Sequence, residues 1–167
     1  GMAAAPLARK VRPNRVTDTE GLTRALMAIA DRESVFTERF YELLFERRPD
    51  TRELFGAYPI AEQEEMMRET LRSLATLQEY AAAIDPRAAE PAAPVDGGGW
   101  LAENLRALGE SHAEYGVTPD MYECYRGLLV ECARETAGAL FDERAEAALT
   151  EAVALVCALM VPQPGPV

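Results

Sequence analysis

Trp100-Leu101-Ala102-Glu103-Asn104-Leu105-Arg106-Ala107-Leu108-Gly109-Glu110-Ser111-His112-Ala113-Glu114-Tyr115-Gly116 contains the only histidine of the chain. Leu101, Leu105, Leu108 and His112 recur every three or four residues, the spacing that brings side chains onto one face of an α-helix. The stretch reads as a helix that Gly116 stops, because glycine adopts the left-handed backbone conformation that commonly ends helices. His112 then stands in line with three leucines and should point inward. The plainest role for such a histidine is a core residue hydrogen-bonded to a backbone carbonyl.

Working outward, residues 83–99, with Asp85-Pro86, Pro91, Pro94 and Gly97-Gly98-Gly99, have the punctuation of a long loop. Before it, Gln63, Met67, Leu71, Leu74 and Gln78 line one face of a helix that follows Tyr58-Pro59 and runs to about Ala82. Earlier still, Phe36, Phe40, Leu43 and Leu44 form an apolar stripe that Pro49 ends, with a short helical turn over residues 50–55. Thr17-Asp18-Thr19-Glu20 is a capping box that starts a first helix carrying Leu22, Ala25, Leu26 and Ile29. On the other side, Thr118 caps a helix with Pro119 in its first turn and Met121, Tyr122, Tyr125, Leu128, Leu129, Cys132 and Thr136 inward. Asp142 caps the last helix, which buries Ala145, Leu149, Ala152, Val153, Val156 and Met160 until the proline-rich end. No segment alternates with period two and there is no internal repeat, so the sequence predicts an all-α domain of about six to eight helices. It spans residues 17–161, after a flexible leader over 1–16 and before a tail over 162–167.

The chain has 167 residues, enough for one ordinary domain and too few for an enzyme that also carries its own nucleotide-binding module. Its formal charge of −11 repels phosphate backbones and anionic lipid, which argues against nucleic acid and membrane partners. No apolar run approaches the ~20 residues of a membrane span, and the start does not look like a secretion signal, so a cytoplasmic protein is expected. Cys124, Cys132 and Cys157 have spacings that suit neither zinc nor a disulfide framework and read as reduced core thiols. A phosphate-binding loop is missing, and Lys10 is the only lysine. Ser111 and His112 are helical neighbours that diverge, and His112-Ala113-Glu114 lacks the Pro-Cys-x-x-Cys partner of a zinc deaminase.

A single histidine cannot build a zinc site. It can be the only protein ligand of a haem iron, where the porphyrin supplies four nitrogens and an apolar pocket the rest of the binding energy. Such a pocket needs aromatic side chains on its opposite face and one or two hydrogen-bond donors, because dioxygen draws negative charge from iron when it binds. On spacing alone, Phe55 and Met67 read as core, Tyr41 as a core tyrosine with its hydroxyl toward water, and Gln63 as an exposed first-turn residue.

Two segments, which hold Tyr41, Phe55 and His112, carry a likeness to a known family. Phe40-Tyr41-Glu42-Leu43-Leu44-Phe45 followed by Arg48-Pro49-Asp50-Thr51-Arg52-Glu53-Leu54-Phe55, and Leu108-Gly109-Glu110-Ser111-His112-Ala113-Glu114-Tyr115-Gly116-Val117, match a known pattern at its spacing. From Thr17 to Met160 the chain resembles a single-domain bacterial globin, close to the globin part of the flavohaemoglobins. The resemblance implies a globin fold around haem b, with His112 as the proximal iron ligand. It makes Phe55, Met67, Leu108 and Tyr122 further cofactor contacts, and Tyr41 and Gln63 the distal pair that acts on the gas. It also implies an oxygen-binding or oxygen-transport protein of the bacterial haemoglobin kind, whose ligands are dioxygen, nitric oxide or carbon monoxide. Nitric oxide dioxygenase activity would need electrons from an external reductase. A monomer or homodimer is expected.

The chain also departs from that family. Met67 stands where leucine is more usual. The glutamate that hydrogen-bonds the proximal histidine in flavohaemoglobins has no counterpart in Val161-Pro162-Gln163-Pro164-Gly165. The loop over 83–99 is longer than the family leads one to expect. A second reading from another class is a globin-fold sensor or protein-interaction module, with or without haem, to which the acidic surface, the leader and the long loop would contribute.

Overall fold

The computed structural model describes residues 16–55, 59–82 and 100–162; the leader up to residue 15, the loop over 83–99 and the last five residues lie outside them. Among the described residues there are seven α-helices and no strand. They are α1 (Thr19–Ala30), α2 (Glu33–Arg47), α3 (Arg52–Phe55), α4 (Ile60–Ala82), α5 (Trp100–Glu114), α6 (Pro119–Thr136) and α7 (Glu143–Met160), with one 3-10 turn, Pro49–Thr51, between α2 and α3.

The expected stripes become the core. Leu22, Ala25 and Ile29 of α1, Phe36, Phe40, Leu43 and Leu44 of α2, and Met67 and Leu74 of α4 are buried. So are Leu128, Leu129 and Cys132 of α6, and Leu149, Val153 and Val156 of α7. α7 is the axis of the packing: α1, α5, α6 and α4 all lie against it, while α2 packs on α6. Its series of alanines at positions 145, 148 and 152, all buried, lets neighbouring helices approach closely. Ion pairs flank the α2–α6 seam, with Arg39 2.9 Å from Glu135 and Arg47 2.7 Å from Glu131. Both are exposed and contribute little to stability.

Three helix ends show how local sequence chooses the structure. At α1 the cap is Asp18, whose carboxylate accepts from the Gly21 N–H at 2.9 Å; the predicted cap, Thr17, instead donates through its N–H and hydroxyl to Glu151 of α7, each at 2.8 Å. At α6 Thr118 occupies the cap position without a side-chain capping bond, and Pro119 opens the helix. At α7 Asp142 caps as predicted, accepting from the Ala145 N–H at 2.9 Å. The three cysteines are free, Cys132 and Cys157 buried and Cys124 partly so. No helix among the described residues is long and apolar enough to cross a membrane.

Candidate functional site

His112 stands in the last turn of α5, and that turn is closed by backbone geometry. Gly116 has φ +101, its N–H donates to the Ala113 carbonyl at 3.0 Å, and the Val117 N–H donates to the His112 carbonyl at 3.1 Å. These are the two bonds of a Schellman motif, whose left-handed residue glycine adopts without strain. Within the same turn the His112 ring lies with Nδ1 2.8 Å from the Leu108 carbonyl oxygen. A carbonyl can only accept, so Nδ1 is the donor in this contact and Nε2 is the ring nitrogen it leaves uncommitted.

The predicted apolar face of α5 divides in two. Leu101 and Leu105 are buried, whereas Leu108 keeps 39% of its surface exposed and His112 is only partly covered. The inward direction expected for His112 therefore holds in part: Leu108 and His112, one turn apart, form an uncovered apolar and imidazole surface. Gly109 fixes how this surface sits on the molecule. A Cβ at that position would overlap the backbone carbonyl of Met160, so α5 touches the end of α7 backbone to backbone.

Tyr122, in the first turn of α6, is 8% exposed, and its hydroxyl is the one buried side-chain polar atom among the described residues without a hydrogen-bond partner. Burial pushes its pKa up to about 12, with the nearby Cys157 thiol adding to the effect. It stays protonated at neutral pH. Val161 and Pro162 follow directly on α7, which ends at Met160.

The second part of the site is aromatic. Tyr41, Phe45 and Phe55 form a triangle, with ring centres 5.5 Å apart for Tyr41–Phe55, 6.0 Å for Tyr41–Phe45 and 5.9 Å for Phe45–Phe55. Phe40 meets Tyr41 edge-on at 5.2 Å and Tyr125 at 4.9 Å, which ties the triangle to α6. The Arg52 guanidinium lies 4.8 Å from the centre of the Phe45 ring. Desolvation raises the Tyr41 pKa far above its usual value, with Tyr125 as a smaller contributor. The Tyr41 hydroxyl is thus an un-ionised group, able to donate a hydrogen bond.

Gln63 and Met67 lie one turn apart on α4, Gln63 partly buried and Met67 fully. The structure thus brings Tyr41 and Phe55 into contact, puts Gln63 with Met67 on one face of α4, and sets His112 with Leu108 on α5. Phe45 was not singled out in the sequence, although its position four residues after Tyr41 on one helix face was a usable signal. Thr70 was also missed; its hydroxyl lies 2.8 Å from that of Tyr125.

The globin family model matches residues 38–160, from within α2 to the last residue of α7. The chain belongs to the globin family. No curated protein matches the sequence. The match covers every residue of the candidate site, from Tyr41 to Tyr122, so the all-α arrangement described above is a globin fold.

Proposed function

We propose that this globin binds haem b through His112 Nε2 and takes up diatomic gases, as a bacterial, flavohaemoglobin-like single-domain protein. The observation that carries this reading is the 2.8 Å contact between His112 Nδ1 and the Leu108 carbonyl, which orients the ring and keeps Nε2 free as a ligand. The donor set fits. A lone imidazole suits an iron whose other ligands come from a porphyrin. The exposed Leu108 surface beside it is apolar, as a macrocycle requires.

Bound there, haem supplies an iron with one open coordination position for dioxygen, nitric oxide or carbon monoxide. Everything else comes from the chain. Phe55 and Met67 exclude water with apolar surface, and Leu108 and Tyr122 flank the ligand histidine. The Tyr41 hydroxyl and the Gln63 amide offer hydrogen bonds to the guest. A hydrogen bond to a charged group contributes ~1.5 to 3 kcal/mol, so each donor slows guest release by roughly 10- to 150-fold. Slow release favours oxygen scavenging, or nitric oxide detoxification with electrons from a separate reductase, over rapid oxygen delivery.

An absorption spectrum of the purified protein, reduced and then exposed to carbon monoxide, tests the reading. A haem band that shifts with carbon monoxide, and is lost in His112→Ala, is the expected outcome. A protein that stays colourless after addition of hemin overturns it and favours a haem-free interaction module.

A further inference from the structure

Two helices bring hydroxyl groups together beside the α4 face that carries Gln63 and Met67, Thr70 of α4 and Tyr125 of α6. Thr70 follows Gln63 by seven residues and Met67 by three, which keeps all three on one side of α4. Its hydroxyl lies 2.8 Å from the Tyr125 hydroxyl of α6, so Tyr125 reaches the same face. Phe40 is packed edge-on between the two tyrosines, 5.2 Å from the Tyr41 ring and 4.9 Å from the Tyr125 ring. Tyr125 keeps part of its surface open although its neighbour Phe40 is fully buried.

We propose that Tyr125 is a second tyrosine donor to the guest in the pocket of Tyr41 and Gln63, with Thr70 as the positioning residue that sets which way its proton points. The inference rests on the gas-binding reading above and adds a residue to it. Thr70 has one proton and two acceptors within reach, the Tyr125 oxygen at 2.8 Å and the Met66 carbonyl at 3.3 Å. When Thr70 donates to Met66, Tyr125 donates to Thr70 and its proton is occupied. When Thr70 donates to Tyr125 instead, the Tyr125 proton is released to the pocket. The bond given up in the exchange is the long one, so the exchange is a small step. Burial raises the pKa of both tyrosines, and each therefore stays a neutral donor across the physiological range.

Dioxygen off-rates and the carbonyl stretching frequency of the carbon monoxide complex, which responds to nearby donors, test the proposal on the haem-loaded protein. Tyr125→Phe should raise the off-rate roughly tenfold and shift the stretch. Thr70→Val should raise it less, Thr70→Ser should restore it, and Thr70→Val added to Tyr125→Phe should change nothing further, because Thr70 acts only through Tyr125. An off-rate and a stretch that stay at wild-type values in Tyr125→Phe, while Tyr41→Phe moves both, overturn the proposal and leave the gas-binding reading intact. Independent effects of Thr70→Val and Tyr125→Phe also overturn it, since Thr70 would then be a packing residue. A wild-type chain that takes up no haem overturns both.

Discussion

The two halves of the candidate site are held by different physics. Around His112 the fixings are backbone: the Schellman bonds at Gly116, the Leu108 carbonyl on Nδ1, and the approach of Gly109 to the Met160 carbonyl. Around Tyr41 they are ring contacts, Phe40, Phe45 and Phe55 meeting Tyr41 at 5.2 to 6.0 Å. Backbone fixings position a ligand atom with little freedom and tolerate no added atom. Packed rings can adjust by small tilts, so they tolerate swaps that conserve volume. A site built in this way is rigid around His112 and adaptable around Tyr41.

One methyl group sharpens the contrast most. Gly109→Ala should lose about 3 kcal/mol in urea unfolding, because backbone on both sides of the overlap has to move. Gly127→Ala makes the same change in α6, where a Cβ has nothing within 4 Å, and should gain ~0.5 to 1 kcal/mol from helix propensity. Phe40→Leu on the aromatic side should cost only about 1.5 kcal/mol although it changes more atoms. A Gly109→Ala protein as stable as the Phe40→Leu one would end the distinction between the two halves.

These two glycines also mark what the sequence could and could not disclose. A glycine inside a helix is a warning, since alanine is favoured there by up to ~1 kcal/mol. Gly109 and Gly127 give the same warning, and only the partner helix tells them apart: Met160, 51 positions further on, crosses the first and nothing crosses the second. Helix positions were legible because burial repeats with the helical period. The cap of α1 was displaced by one residue because Thr17 is claimed by Glu151, a contact that no local pattern contains. His112 stood out by residue type and spacing, whereas Phe55 read as core on spacing and entered the candidate site only through the resemblance. The Thr70–Tyr125 pair did not stand out, because it joins two helices, and a threonine beside an apolar stripe gives no sign of which side chain on another helix it will meet.

A gentler test concerns the orphaned hydroxyl of Tyr122, in the first turn of α6. Tyr122→Phe removes a buried polar atom that has no partner and keeps the ring, so the protein should gain about 1 kcal/mol in the same unfolding experiment. A loss of similar size would mean that the hydroxyl is bonded in solution.

The smallest effect is expected far from both halves, at the α1–α7 seam. Arg144 holds the Asp18 carboxylate with two bonds of 2.8 Å, and the Gly21 N–H adds a third, which together lower its pKa from 3.8 to about 2. A carboxyl whose folded pKa is depressed contributes stability above its unfolded value and loses it as pH falls through the folded one. The contribution should be complete above pH 4 and disappear between about 3.8 and 2. Solvent screens this exposed pair, so it amounts to less than about 1 kcal/mol. Unfolding of wild type and Asp18→Asn at pH 6 and at pH 2.5 measures it, and the difference between the two proteins should shrink on acidification. Because the seam seats α7, a change in the His112 half on acidification that Asp18→Asn reproduces at pH 6 would show that the backbone fixings depend on more than their own contacts.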